Sequence, residues 1–192
     1  MREISPEELS KILKEHETWC DTDEYEGEKA DLSGANMFTA NLSGADLRGA
    51  NLSDAYLYEA DLSCADLSCA DLRDADLRGA SLSGAILRSA FLYKAYLSDA
   101  KLHDAKLYKA KLYKADLSDA DLSGAMLKRA YLSNADLNNA DLSNADLSEV
   151  LGLNIEQLSK VKTLYKAKLA PELRKQVKDK YPHLLKKPKS EE

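Results

Sequence analysis

Residues 101–120 read KLHDAKLYKAKLYKADLSDA. Alanine and leucine keep a beat of five, while the position before leucine passes from Lys101, Lys106 and Lys111 to Asp116. A slot that reverses its charge without disturbing its neighbours faces water, and the positions that hold still lie inside. The same beat extends both ways. Alanine stands at every fifth position from Ala30 to Ala145, 24 times without a gap. Leucine follows two residues later from Leu32 to Leu147, with Met37 the one exception. The motif is A-(D/N)-L-(S/R)-X, and it stops where Val150 takes the place of the next alanine. Such internal repetition governs the reading of everything else.

A period of five suits neither ordinary element. On an α-helix each repeat would advance the apolar pair by about 140° and smear it round the cylinder. On a straight strand an odd period flips the pair to the opposite face each time. The chain must therefore bend once per repeat, so that every alanine and leucine returns to a common interior. Asp or Asn fills the slot before leucine in 14 of 24 repeats, and such side chains bond nearby backbone at bends. A longer beat shows outside: Tyr93-Lys94 recurs as Tyr113-Lys114, Ser98-Asp99 as Ser118-Asp119, and Gly84 as Gly124. The offset is 20 or a multiple of it, so four repeats make one coil.

With that pattern residues 30–149 resemble the pentapeptide-repeat family. The resemblance implies an all-β solenoid, a right-handed quadrilateral β-helix with leucine as the central inward residue and alanine as the second. About six coils at the interstrand spacing of about 4.8 Å make a rod of about 29 Å.

A solenoid exposes open ends and needs atypical caps. We expect four segments: an N-terminal capping helix and linker over 1–29, the β-helix over 30–150, a helical cap over 151–185 and a disordered tail over 186–192. In the first, Ser5 is a good N-cap, Pro6 suits the first helical position and Glu8 closes a capping box, with Ile4 and Leu9 placed as a staple. Leu9, Ile12, Leu13 and His16 share one face, which Trp19 extends. In the third, Asn154 and Gln157 cap a helix carrying Ile155, Leu158 and Val161, and a second helix runs from Pro171 to near Tyr181. With both ends capped, a monomer is expected.

The net charge of −6 is unevenly placed. Residues 1–29 carry 4 basic and 10 acidic groups, residues 30–150 carry 12 and 18, and residues 151–192 carry 11 and 5. There is no apolar run long enough for a membrane span, and the polar, acidic N-terminus does not read as a signal peptide. Cys20, Cys64 and Cys69 are an odd set without CxxC spacing, which suggests neither a disulfide framework nor zinc and fits a reducing cytoplasm.

No nucleophile elbow, phosphate loop, dinucleotide fingerprint or zinc-protease motif is present. No catalytic, cofactor-binding or metal site is expected, and the protein reads as non-enzymatic. His16, His103 and His183 are isolated in sequence, and the aspartates belong to the fold motif. One anomaly stands out. Seven consecutive slots, Ser81 to Lys111, lack Asp or Asn. Residues 30–89 carry 4 basic and 9 acidic groups, residues 90–129 carry 8 and 5, and residues 130–149 carry 0 and 4. The middle of the rod is thus a basic belt between acidic ends. Its candidate partner-binding residues are Phe91, Tyr93, Lys94, Lys101, Lys106, Tyr108, Lys109, Lys111, Tyr113 and Lys114, facing another protein with an acidic patch.

The resemblance supplies an alternative, because some members of the family mimic duplex DNA and bind DNA gyrase, protecting it from quinolones or inhibiting it. Against this, the basic belt interrupts the acidic surface, the repeats run without a projecting loop, and helices cover the C-terminal coil through which gyrase-binding members dimerise. Tight nucleic-acid binding is not expected of so acidic a chain without an RNA-binding motif.

Overall fold

The computed structural model describes residues 2–23 and 25–188. In chain order it contains β1 (Arg2–Glu3), α1 (Pro6–Asp21), β2 (Ala35–Asn36), β3 (Asp146–Leu147), α2 (Ile155–Leu158), β4 (Lys168–Leu169), α3 (Pro171–Lys180) and a 3-10 turn at Pro182–Leu185. The repeats do not form long strands. They are joined by single-residue parallel bridges, from Asp31↔Asn51 through Lys111↔Tyr131 to Tyr131↔Leu151, each linking residues 20 apart. A chain that bends every fifth residue has no room for a longer ladder.

Four pentapeptides per coil make four columns of slots. The first side carries Asp31, Asn51, Asp71, Phe91, Lys111, Tyr131 and Leu151; the second starts at Asn36, the third at Asn41 and the fourth at Asp46. Leucines and alanines line the interior, nearly all of them fully buried.

Backbone hydrogen bonding explains the motif. In Ala115–Asp119, the Ala115 N–H closes the turn on Leu112 O (3.1 Å). Asp116 N–H donates down to Ala95 O (3.0 Å), while Leu117 and Asp119 donate up to Asp136 O and Asn138 O (both 2.8 Å). The fifth donor, Ser118 N–H, goes to the Asp116 carboxylate at 3.0 Å. An acidic or amide slot therefore satisfies the one backbone donor that the coil leaves over. A lysine or aromatic slot gives that donor to water, a small loss on an exposed side. This is why Lys101, Lys106 and Lys111 can replace aspartate without altering the interior. The corner residue turns through the left-handed region, as at Asp119 with φ 57°.

The ends depart from expectation in three places. Ser5 caps α1 by accepting from Glu8 N–H (3.1 Å), but the capping box is only half formed. The Glu8 carboxylate instead takes Arg2 at 3.1 Å, and Arg2 also donates to Asp31 O (2.9 Å). At the other end the Asn154–Gln157 box is complete, at 2.9 and 3.1 Å. Its Gln157 amide also donates to Leu132 O and Ala135 O. α2 nevertheless stops at Leu158, so Val161 is buried beyond the helix and not on it. Coil pairing also continues past residue 150, with Asp141 bridging Thr163 and β3 pairing with β4 in the register Asp146↔Lys168. The offset is now 22, and Leu164, Ala167 and Leu169 are buried like the rows before them. Of the expected disordered tail, residues 186–188 are exposed and 189–192 lie outside the described residues. Among the described residues no helix is long and apolar enough to cross a membrane.

Candidate interaction surface

The seven slots from Ser81 to Lys111 wind round the coil, so the expected belt separates into sides. Phe91, Tyr93, Lys94, Lys111, Tyr113 and Lys114 share the first side, and Lys106, Tyr108 and Lys109 the adjoining fourth. Lys101 sits on the third side between Ser81 and Asp121, away from the others. The second side stays acidic at the same height, with Asp99, Asp116 and Asp119. The charge is therefore not a belt. It is a cationic patch on two adjoining sides, because a run of consecutive repeats is shared among four directions.

On the first side the lysines are spaced by aromatic rings. Lys111 Nζ lies 3.8 Å from the Phe91 ring centroid, close enough for a cation–π attraction. Lys114 sits over Tyr113 at 5.3 Å. Tyr93 is tilted against Phe91 (6.3 Å) and edge-on to Tyr113 (6.5 Å). Lys94 reaches Asp74 one coil below at 3.8 Å. Lys94 and Lys114, like charges stacked one coil apart, thus each take a different neighbour. Tyr113 and Tyr131 remain 38% and 44% exposed, so their rings are available to a partner.

The fourth side adds Lys109 over Tyr108 at 5.2 Å. Arg129, one coil further, donates to Tyr108 Oη at 3.3 Å and holds that phenol below its ordinary pKa. Met126, Lys128 and Arg129 complete this surface and were not among the candidates read from sequence, although an offset of 20 from Lys106, Tyr108 and Lys109 points to them. Lys128 and Arg129 are both engaged by Glu149, at 2.9 and 2.6 Å. Rings with ammonium groups held between them suit a partner that offers carboxylates beside apolar side chains.

One cluster was not legible. α1 brings His16 and Cys20 against Asp46, with Cys20 Sγ 3.7 Å from both His16 Nε2 and Asp46 Oδ1. These three atoms lie close enough to suggest a metal site, but their protons are already placed. Ala30 N–H donates to His16 Nδ1 (3.1 Å), so the proton of the neutral ring sits on Nε2, the atom a metal would need. Asp46 is held by Arg48 through Nε at 2.9 Å. Burial, with Asp46 beside it, pushes the Cys20 thiol up to about 11, far from a reactive thiolate. The cluster is a structural clamp that seats α1 on the coil. Cys64 and Cys69 are exposed free thiols, and His103 bonds Ser123 Oγ (2.9 Å) and Asp104 (3.0 Å) at the surface.

The family model for pentapeptide repeats matches eight copies over residues 40–79, 75–113 and 115–151. The chain belongs to the pentapeptide-repeat family. Among solved structures it is similar to HetL of the cyanobacterium Nostoc sp. strain PCC 7120, a member of this family involved in heterocyst differentiation regulation. The two are 37% identical with a TM-score of 0.53, over 63% of this chain and 65% of HetL, so the likeness spans less than two thirds of either. A member from the Arabidopsis thaliana thylakoid lumen is 22% identical over 72% of this chain and 77% of its own, with a TM-score of 0.34. QnrB1, a plasmid-mediated fluoroquinolone resistance protein, is 22% identical over 79% of this chain and 89% of its own, with a TM-score of 0.31. No curated protein matches the chain.

Proposed function

We propose that the protein is a non-enzymatic, monomeric interaction scaffold of the cytoplasm, a right-handed quadrilateral β-helix of about six coils closed by helices at both ends. Its docking surface is the patch on the first and fourth sides, centred on Phe91, Tyr93, Lys111 and Tyr113. The partner is a protein with an acidic patch flanked by apolar residues. The observation that carries this reading is the alternation of exposed tyrosines and ring-stacked lysines on one side of a rigid rod. In affinity capture from the native cell, the wild-type protein should retain a partner that Lys94→Glu/Lys111→Glu/Lys114→Glu loses and Lys101→Glu keeps. Capture of the same proteins by all three would sink the assignment.

The gyrase reading has one observation in its favour. Over residues 30–149 the second and third sides carry ten acidic groups, including Glu59, Asp99, Asp119, Asp121 and Asp141, against Arg78 and Lys101. Their net charge of −8 is nearly unbroken along the rod. Duplex DNA over about 29 Å carries about 17 negative charges, however, on a surface that has no cationic side. We expect no inhibition of gyrase supercoiling at micromolar protein. Dose-dependent inhibition that disappears on Asp99→Asn/Asp116→Asn/Asp119→Asn would favour mimicry instead.

A further inference from the structure

At the N-terminal end of the rod β1, Arg2 or α1 meets three sides of the first coil, and the slot of the third side is left exposed. In every coil the slot residue turns both backbone groups toward the coil before it: Asp61 N–H donates to Ala40 O (2.9 Å), and Asp61 O accepts from Leu42 N–H (2.7 Å). The first coil has no predecessor, so its slot residues need other partners. β1 supplies them on the second side, in the register Arg2↔Ala35 and Glu3↔Asn36. The Arg2 side chain covers Asp31 O on the first side. On the fourth, α1 lies over the coil with Cys20 facing Arg48 O at 3.9 Å, although among the described residues Asp46 N–H and C=O, like Asp31 N–H, have no backbone partner. On the third side, among the described residues, nothing meets the N–H or C=O of Asn41. Asn41 and Ser43 are exposed, and the Asn41 side chain holds Ser43 N–H and Oγ at 3.0 and 2.7 Å. The segment is thus already locked in the shape of a paired coil.

Beside this edge runs a groove of about 750 Å³ between α1 and the coil. Its wall is apolar, with Leu9 and Leu13 from α1 and Met37, Ala40 and Ala45 from the coil. Ala40 and Ala45 are the only half-buried members of the alanine row, and both line this groove. An unpaired strand edge beside an apolar slot is the arrangement that accepts an added strand. Charge restricts what enters. On the groove lining Glu17 and Lys14 balance and Asp46 is held by Arg48, so the field at this end is set by residues 1–29, which carry ten acidic and four basic groups.

We propose that this edge and groove dock an extended, cationic strand of another protein, which pairs with Asn41 and places alternate apolar side chains against Ala40 and Ala45. The site lies at the acidic end of the rod, apart from the cationic patch, and stands independently of it. β1 already makes the same kind of addition on the neighbouring side.

The test is backbone amide exchange of the full chain at low salt, titrated with a blocked six-residue peptide of alternating lysine and leucine. Asn41 N–H should slow by about tenfold or more at saturation, as binding to the native state alone requires. Asp61 N–H, already paired, should not change. Ala45→Lys, which fills the groove with a charge, and Asn41→Pro, which removes the donor, should each abolish tight binding. The first keeps the test decisive should the proline variant fail to fold. Three results would overturn the proposal: no binding, binding without protection of Asn41 (adsorption on the acidic sides), or protection that rises with protein concentration alone. The last would mean that a second copy fills the edge.

Discussion

Truncating Leu112 to alanine should lower the unfolding free energy by about 2–5 kcal/mol, whereas Lys106→Asp should shift it by less than about 0.5 kcal/mol. Leu112 is fully buried in the leucine row, one coil from Leu92 and Leu132. Each coil of a solenoid is stabilised only by its neighbours, so a cavity in a middle coil weakens two interfaces at once. Lys106 stands one position before a buried leucine yet faces outward between Ile86 and Met126. In urea titrations of the two variants, equal losses would show that the division into inward and outward positions is wrong. For a chain of this size the difference corresponds to about 3–18 °C in melting temperature.

Mild acid should loosen the N-terminal cap through His16. This ring is fully buried, and burial is the main cause that lowers its pKa below the ordinary 6.5. Asp46 and the Arg48 carbonyl favour the charged form, Lys29 and Arg48 oppose it, and burial prevails. The sign follows from which form the fold prefers. The folded state holds His16 neutral, so its contribution is fully present above the unfolded value of about 6.5 and is lost as pH falls toward the lower folded value. Protonation would also set an N–H at Nδ1 against the Ala30 N–H that now donates to it. His16→Leu should cost about 1–3 kcal/mol at pH 7.5, because Ala30 N–H is left without an acceptor, and should flatten the pH profile below 6.5. His103 and His183 are exposed and common to both proteins, so the difference between the profiles isolates His16. Parallel profiles would exclude this role.

The interior was legible because Ala recurs without a gap and Leu with Met37 as its one exception, and the coil because Tyr93-Lys94 recurs as Tyr113-Lys114 at the offset of 20 that the bridges keep. The surface was less so. Charge counted along the chain averages over four directions, which is why Lys101 was grouped with lysines that it does not accompany and the acidic second side went unseen. The clamp of His16, Cys20 and Asp46 depends on where α1 crosses the coil, and no local spacing encodes that. The renewed pairing at Thr163–Leu169 was masked by a slip of two residues in register. Its signal, Leu164 and Leu169 five apart with Ala167 between them, is nonetheless present in the chain.

The constant offset of 20 between bridged residues has a consequence for how such a chain can change. Duplicating or excising one whole coil is a translation: every column keeps its members, the caps still fit, and only the rod's length alters. Duplicating or excising a single pentapeptide leaves the interior equally well packed, since each repeat presents the same alanine and leucine. Yet it acts as a quarter-turn screw, carrying everything downstream to the next side. Lys111 would leave Phe91, and the cationic patch would be dealt out among acidic neighbours with the core intact. The buried rows are blind to that rotation, and only the contacts between rings, lysines and carboxylates on the outside register it.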